Sequence, residues 1–147
     1  MDPTTTRGRL LIKAWSTAHS IVYKLTRGRV GHGFGPNTLL LEHVGAKSGQ
    51  RRTTPLFYIE DGDSVVVVAS YHGAPHHPAW FHNLRANPDT EVRLGSCVRK
   101  VRARIASDAE RDRLWGRAVT AYKPYDEFQQ VAAQTGRTVP LVILEPR

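Results

Sequence analysis

Cysteine is nearly absent from this sequence. Its single example, Cys97, excludes an internal disulfide and leaves no thiolate cluster for a structural metal site. Cys97 falls in a run with strand character, where we expect it to be a small packed side chain. At 147 residues the chain is long enough for one domain with a sizeable hydrophobic core.

Long apolar runs are missing as well. No uninterrupted apolar stretch reaches the length of a transmembrane helix, and the N-terminus lacks the apolar block and cleavage site of a signal peptide. We therefore expect a cytoplasmic protein, with association at a membrane surface left open.

Acidic residues are scarce relative to basic ones. The sequence has 13 Asp and Glu against 21 Lys and Arg, a formal charge of +8 and a pI near 10.1. This excess predicts an anionic partner: a phosphorylated cofactor, an acidic membrane surface or nucleic acid. No nucleic-acid-binding motif is present and the aromatic residues lie apart from most arginines, so we expect no nucleic-acid partner.

The N-terminal segment has its own pattern. Residues 9–27 place apolar side chains on one helical arc and basic side chains on the opposite one. Such a helix can lie on an anionic bilayer, with Trp15 near the headgroups, or it can cover the domain core. We interpret residues 28–37 as a glycine-rich linker. The predicted division is residues 1–37, helix and linker, and residues 38–147, one barrel domain.

The remaining sequence is rich in predicted strands. Turn signals at Asp61-Gly62-Asp63 and Gly95-Ser96 separate β-branched runs. The predicted strands span residues 38–44, 51–60, 64–69, 91–94, 97–105 and 139–144. About six strands joined as hairpins, with peripheral helices, predict a mainly β, α+β fold built on an antiparallel barrel.

Three helices are expected around this barrel. Pro78 suits the first turn of a short helix. Ser107 and Glu110 have the spacing of a capping box, which predicts a helix running towards Tyr122. A further helical stretch follows Pro124.

The segment of residues 45–56 combines a basic turn with the start of a strand. Lys47, Ser48, Arg51 and Arg52 supply ammonium, hydroxyl and guanidinium donors close to freed backbone amides. A phosphodiester or polycarboxylate tail requires such donors. The segment lacks the upstream glycine of a Walker A loop. It predicts a site for an anionic tail, although a solvated hairpin tip could have the same composition.

Residues 69–84 form a small-residue loop that opens an aromatic helix. Gly73 and Ala74 would let a planar ring approach the backbone closely. Trp80 offers an aromatic wall, with Asn83 on the same helix face, although an aromatic at this spacing also suits a core. Together with the basic turn, this segment predicts a site for a flavin-like cofactor.

Four histidines crowd the same segment: His72, His76, His77 and His82. No Asp or Glu occurs between Ser64 and Pro88 to support a metal. We therefore expect no metal site. The sequence also lacks a Gly-x-Ser-x-Gly elbow, so hydrolysis is not indicated.

Aromatic residues recur near the C-terminus at Tyr122, Tyr125 and Phe128. Pro124 breaks the helix between the two tyrosines, so they could rim a pocket instead of packing in a core. A tyrosine hydroxyl there could donate a hydrogen bond or a proton to a reduced substrate.

From about Thr38 to Pro146 the sequence resembles the deazaflavin-dependent nitroreductase family, whose members use reduced coenzyme F420 to reduce quinones and nitro compounds. The resemblance is carried by Gly-x-Lys-Ser-Gly-x-x-Arg-x-x-Pro-Leu from Gly45, Gly-Ala-x-x-His-Pro-x-Trp-x-x-Asn-Leu from Gly73, the spacing of Trp115, Tyr122 and Tyr125, and the final Pro-Leu-Val-Ile-Leu-Glu-Pro. It implies a split antiparallel β-barrel like that of FMN-binding, pyridoxamine-phosphate-oxidase-like proteins.

The resemblance also implies site residues. Lys47, Ser48 and Arg52 would hold the phosphate and acidic tail of the coenzyme. The residues expected beside its ring are Thr54, Pro55, Val68, Ala79, Trp80 and Asn83. The residues expected to border the acceptor pocket, in a catalytic role, are Ser70, Tyr122 and Tyr125.

The sequence departs from the family pattern in three places. Ala46 stands where an arginine is common, which bears on tail affinity. Tyr71-His72 replaces a smaller pair and would narrow the pocket mouth. Phe128 lacks the hydroxyl of a third tyrosine in some relatives, which bears on the reduction of nitro compounds.

The implied activity is hydride transfer from reduced F420 to a quinone-like acceptor such as menaquinone, or to a nitro compound. Two alternatives use the same barrel: a reductase with FMN as cofactor, and a non-catalytic carrier of the deazaflavin or of a lipid. A homodimer is possible if the barrel has an open edge.

Overall fold

A computed structural model describes residues 37–147 of the chain. The helix predicted over residues 9–27, and the linker predicted over residues 28–37 except for its last residue, lie outside the described residues. The described residues form six β-strands and three α-helices. The strands are β1 (Thr38–Val44), β2 (Arg51–Asp61), β3 (Ser64–Val68), β4 (Asp89–Leu94), β5 (Cys97–Ile105) and β6 (Leu141–Pro146). The helices are α1 (Ala79–Ala86), α2 (Asp108–Ala121) and α3 (Pro124–Ala133).

The strands form one closed antiparallel barrel, in the order β1-β2-β3-β6-β5-β4. β1 pairs with β2 over its whole length and closes the barrel through a short pairing with β4. In that pairing Leu40 lies opposite Arg93 and Leu41 lies opposite Val92. The predicted barrel is confirmed. Its closure removes the open edge on which a homodimer was expected to form.

Two hydrophobic clusters hold the fold together. The first receives side chains from all six strands and from α1, which places it inside the barrel. The second packs α2 and α3 against the outer face of β2, β3 and β6. Because side chains alternate along a strand, Val65 and Val67 of β3 enter the first cluster while Val66 and Val68 enter the second. The two faces of β2 and β3 therefore serve different parts of the molecule.

The helices begin where local signals predict. The backbone N–H of Glu110 donates to Ser107 Oγ at 3.3 Å and the backbone N–H of Ser107 donates to Glu110 Oε1 at 3.0 Å, which completes the predicted capping box of α2. Pro124 is the first residue of α3, and α1 begins directly after Pro78. No helix within residues 37–147 is long and apolar enough to cross a bilayer.

Several details differ from the sequence-based expectations, and β4, for example, begins at Asp89, two residues earlier than predicted. β6 begins two residues later than predicted, because the N–H of Val139 donates to Gln129 Oε1 at 2.8 Å and its carbonyl accepts from Arg111 Nε at 3.0 Å. Pro140, which follows, has no N–H for a strand ladder. The expectation of a packed Cys97 is also wrong, since its side chain is exposed at the start of β5.

Candidate active site

The turn between β1 and β2 is tight. The N–H of Gly45 donates to the carbonyl of Gln50 at 2.9 Å, and the N–H of Gly49 donates to the carbonyl of Gly45 at 2.9 Å. Gly49 has a φ of 69°, and a Cβ on Gly45 would lie 2.3 Å from Ser48 Oγ. Both glycines are therefore needed for the chain to fold back and present Lys47 and Ser48. We call residues 45–52 the basic turn.

Three cations project from the basic turn. Lys47, Arg51 and Arg52 are exposed, and no carboxylate among residues 37–147 forms an ion pair with any of them. Ser48 Oγ accepts the N–H of Gln50 at 3.2 Å, which leaves its own proton available as a donor. This donor set fits an anionic ligand.

A hydrogen-bond chain that is buried at its centre, between Asn83 and His43, supports the basic turn. The N–H of Ala46 donates to Asn83 Oδ1 at 2.9 Å. Asn83 Nδ2 lies 3.0 Å from His43 Nδ1, and His43 Nε2 lies 2.9 Å from Thr54 Oγ1. Because Asn83 belongs to α1 and Thr54 to β2, this chain ties three elements together at one end of the barrel.

The sequence pattern does not indicate His43 as a site residue. It is 5% exposed, and burial together with the nearby Arg52 charge lowers its pKa from 6.5 to about 4. The imidazole is therefore neutral near pH 7. A polar residue that continues the alternation of the inward-facing Leu39 and Leu41 is the one sequence signal that could have indicated it.

The residues predicted on α1 differ in their exposure. Ala79 is exposed. Trp80 is 7% exposed and packs in the barrel interior, with its ring 6.5 Å from that of Phe81. Asn83 is equally buried and uses both ends of its amide in the chain above. Little of Trp80 therefore remains for contact with a ligand, and Asn83 shapes the basic turn.

The loop between β3 and α1 is organised by a buried arginine. Arg137 is 7% exposed. Its guanidinium donates to the carbonyls of Ala69, Ser70 and Ala74, the last two at 2.9 Å, and to His77 Nδ1 at 2.9 Å. No sequence pattern indicates these partners, since they lie 60 to 68 residues away. Arg137 therefore fixes the loop that carries Ser70.

Gly73 does not leave room for a ring, contrary to the expectation from its sequence. It is buried with a φ of 78°, and a Cβ there would lie 2.6 Å from the carbonyl oxygen of Phe128 and 2.8 Å from Val131 Cβ. Helix α3 therefore occupies the space that Gly73 opens. Tyr71 and His72 before it also have positive φ values, 45° and 54°, an uncommon conformation for such side chains.

Tyr122 and Tyr125 pack together on the outer face of the barrel. Their ring centroids are 5.0 Å apart, and Tyr122 lies 4.9 Å from Phe57. They line a small cavity of about 10 Å³ together with Val68, which is too little space for an organic substrate. Burial and the neighbouring Tyr122 raise the pKa of Tyr125, so its hydroxyl stays protonated. An acceptor of that size would fit beside the two tyrosines only at the mouth of this cavity or after the cavity widens.

The predicted site residues consequently form two groups. Thr54 lies opposite Leu41 on the inner face of the barrel, beside the basic turn and α1. Pro55, one residue later, points to the other face, as do Val68 and the tyrosine pair. Ser70 follows β3 at the start of the loop that Arg137 holds. The strands β2 and β3 join both groups.

A larger groove lies elsewhere. It has a volume of about 280 Å³ and runs between α1, β5 and β6, with Phe81, Leu84 and Ile105 among its apolar walls. None of the predicted site residues lines it. Size alone therefore does not identify the active site.

The clustered histidines are accounted for by packing. His77 accepts from Arg137 and lies 4.5 Å from Phe81, His72 lies 5.1 Å from Phe128, and His76 lies 5.5 Å from Tyr71, measured between ring centroids. In the part of the chain that is described, no group of three or more possible ligands could hold a metal ion.

Comparison with known proteins identifies the family. Residues 15–146 match the family described as F420H(2)-dependent quinone reductase. The chain belongs to this family. It is 48% identical over 121 residues to Rv3178 of Mycobacterium tuberculosis, assigned as an F420H(2)-dependent quinone reductase, covering 81% of this chain and 99% of that protein. The resemblance to F420-dependent reductases is confirmed.

Solved structures agree with this fold. An F420-H2 dependent reductase, FDR-A, has a TM-score of 0.67 at 38% identity, covering 78% of this chain and 98% of its own. A chain described as a domain-swapped dimer has a TM-score of 0.68 at 34% identity, covering 90% and 98%. A Listeria innocua protein assigned as pyridoxamine 5′-phosphate oxidase, at 14% identity and covering 76% and 84%, has a TM-score of 0.53 and shares the fold alone.

The family cofactor is coenzyme F420, and the geometry of the basic turn fits it. Exposed cations that have no carboxylate partner in the described part of the chain can receive an acidic, phosphorylated tail. The neutral, buried chain behind them holds the backbone of the turn in place without competing for that charge. The cofactor expected from the sequence is therefore confirmed by the family, whereas its contacting residues stay predictions.

Proposed function

We propose that this protein is an oxidoreductase that uses reduced F420 to reduce a quinone-like acceptor. The observation that carries the proposal is the basic turn, whose three cations form no ion pair with a carboxylate of residues 37–147 and lie next to the hydrogen-bond chain through Asn83, in a member of the F420H(2)-dependent quinone reductase family. Activity on nitro compounds is a secondary candidate, for which Phe128 in place of a third hydroxyl is unfavourable. The FMN-dependent alternative is not favoured, because the matched family is described by F420H(2).

The tail of the coenzyme would bind at the basic turn. Lys47 and Arg52 supply the charge, and Ser48 supplies a hydroxyl donor beside the turn amides. Arg52 lies across the strand pair from His43, so a tail bound there would rest above the buried chain.

The ring would lie where β2 and α1 meet. We propose that its contacts at this junction come from Thr54, Ala79 and Trp80, while Pro55 and Val68, which point to the other face of the barrel, would contact the side of the ring that turns towards the tyrosine pair. Trp80 would offer an edge instead of a flat face, and Asn83 would act through the turn that it holds.

The acceptor would lie between the loop at Ser70 and the tyrosine pair. When bound, the reduced coenzyme supplies a hydride. The acceptor oxygen that gains negative charge requires a hydrogen-bond donor, and Tyr125 is suited to this because its hydroxyl is buried and stays protonated. Tyr122 and Ser70 border the same region. Arg137 keeps Ser70 in position through its carbonyl.

Location and assembly are part of the proposal. The sequence of residues 9–27 supports contact with an anionic membrane, which would bring the site to menaquinone in a cytoplasmic protein. The likeness to a domain-swapped dimer supports a homodimer. Residues 38–147 would hold the cofactor site on their own. Analytical ultracentrifugation, and vesicle flotation with and without residues 1–37, test these points.

The activity is tested by mixing purified protein with reduced F420 and a soluble menaquinone analogue while following deazaflavin absorbance. We expect oxidation to require protein and quinone together, and neither reduced FMN nor NADPH to replace F420. Failure to accelerate oxidation with any quinone, despite F420 binding, would remove the quinone-reductase proposal and leave the nitro-reductase and carrier alternatives.

A further inference from the structure

The hydrogen-bond chain behind the basic turn has a direction. The N–H of Ala46 can only donate, so the oxygen of the Asn83 amide must face it, as observed at 2.9 Å. The amide nitrogen of Asn83 then faces His43 and can only donate to it. The orientation of Asn83 is thus determined by a backbone group.

This direction determines the tautomer of His43. Its Nδ1 must carry no proton, because it accepts from Asn83 Nδ2 at 3.0 Å. The proton of the neutral ring is therefore on Nε2, which donates to Thr54 Oγ1 at 2.9 Å.

Thr54 is the last member of the chain. Its oxygen accepts the hydrogen bond from the His43 Nε2–H, so its own hydroxyl proton must point elsewhere. Within residues 37–147 the oxygen makes no other hydrogen bond, and the side chain is half-buried beside Arg52. Because the Thr54 oxygen already accepts one hydrogen bond, its hydroxyl proton is available to donate to a ligand.

We propose that His43 is a positioning residue that turns the Thr54 hydroxyl into a hydrogen-bond donor for an acceptor atom of the bound deazaflavin ring. This rests on the proposed function, since the ligand is the F420 of that proposal. The same hydrogen-bond chain connects the basic turn, which would hold the tail, to β2, which would line the ring. The two ends of the coenzyme would therefore contact one connected set of groups.

The first part of the test needs no coenzyme. Long-range ¹H–¹⁵N spectra of the full-length apo protein near pH 7 report which ring nitrogen of His43 is protonated. We expect the proton on Nε2, and a proton on Nδ1 would overturn the inference whatever the protein binds.

The second part measures F420 affinity by equilibrium titration. Thr54→Val should weaken binding roughly 2- to 12-fold, the loss of one hydrogen bond, and Thr54→Ser should keep most of the affinity. His43→Asn can still accept from Asn83 but is too short to donate to Thr54, so it should show a similar loss. The double variant should lose no more than either single one.

Thr53→Val is the matched control, because the Thr53 hydroxyl donates to Glu42 Oε1 at 2.8 Å on the opposite strand face. It should bind F420 like the wild type. If the wild type binds F420 and Thr54→Val binds it with the same affinity, this inference is overturned but the proposed function is not. No F420 binding by the wild type would overturn the proposed function, and the role of Thr54 with it. If His43→Asn does not fold, the His43 tautomer and the affinities of Thr54→Val and Thr54→Ser still test the inference.

Discussion

At the level of single residues, two cations illustrate opposite uses of positive charge. Lys47 is exposed and Arg137 is 7% exposed, and neither forms an ion pair with a carboxylate in the described part of the chain. An exposed ammonium remains hydrated, so leaving it unpaired costs little. A buried guanidinium needs acceptors, and Arg137 obtains three carbonyls and an imidazole nitrogen. Lys47 is therefore available for a ligand, whereas Arg137 stabilises a loop.

We expect Lys47→Ala to weaken F420 binding by about 1–3 kcal/mol, because a charge-assisted contact with the acidic tail is lost. The affinity is measured by titration at constant ionic strength. Lys100→Ala, an exposed lysine on β5, is the control for net charge and should have little effect. Equal losses in both variants would mean that overall charge, not the basic turn, attracts the coenzyme.

We expect Arg137→Met to lower the free energy of unfolding by about 3 kcal/mol or more. The substitution leaves the carbonyls of Ala69, Ser70 and Ala74 without their buried donor. Urea denaturation measures the change. Arg99→Met, at an exposed site on β5, should stay within about 0.5 kcal/mol of the wild type. A small effect at Arg137 would show that water replaces the guanidinium.

At the level of elements, local signals were sufficient for some features and insufficient for others. The Ser107 capping box and Pro124 act within one helical turn, and both helix starts are confirmed. The start of β6 was predicted wrongly, because its bounds depend on Gln129 and Arg111, side chains from two other elements. The sequence predicts that Gly73 leaves space for a ring, whereas in the structure α3 packs against it. The sequence indicates that a glycine is needed at a position, but not which neighbouring group packs against it.

We expect Gly73→Ala to be more destabilising than Gly62→Ala. Both glycines have positive φ, 78° and 59°, so each substitution carries a similar backbone cost of about 1 kcal/mol. Only Gly73 adds a clash, with the backbone carbonyl of Phe128, for which overpacking adds about 1–3 kcal/mol. The difference between the two variants in urea denaturation isolates the contact with α3. Equal effects would show that α3 shifts freely.

At the level of the whole molecule, the fold and the cofactor were predictable but the arrangement of the site was only partly so. Strand alternation and ordered motifs led to the barrel and to F420. The chain from Ala46 to Thr54 joins residues 37 and 40 positions apart, and no sequence spacing predicts it. The split of Thr54 and Pro55 onto opposite barrel faces follows from alternation once the closure through β1 and β4 is known. Such contacts arise only when the barrel forms.

His43, which is buried, and His77, which is half-buried, should make stability depend on pH. Burial, with the charge of Arg52 near His43 and of Arg137 near His77, lowers both pKa values from 6.5 to about 4. Between these values the unfolded chain binds more protons than the folded one, so the free energy of unfolding should be constant above pH 6.5 and fall as the pH drops towards 4. For His43 the slope is at most about 1.4 kcal/mol per pH unit.

The carboxyl of Glu110, whose pKa the hydrogen bond from Arg104 lowers to about 2, acts at lower pH. Its stabilising effect is lost only below its ordinary pKa near 4.5, so it does not account for a loss between pH 6.5 and 5. Urea denaturation at pH 8, 7, 6 and 5 isolates the histidines, and His43→Asn should flatten the dependence. If the free energy of unfolding instead rises on acidification through this range, the imidazoles are protonated in the folded protein. A protonated His43 could not accept the hydrogen bond from Asn83 Nδ2.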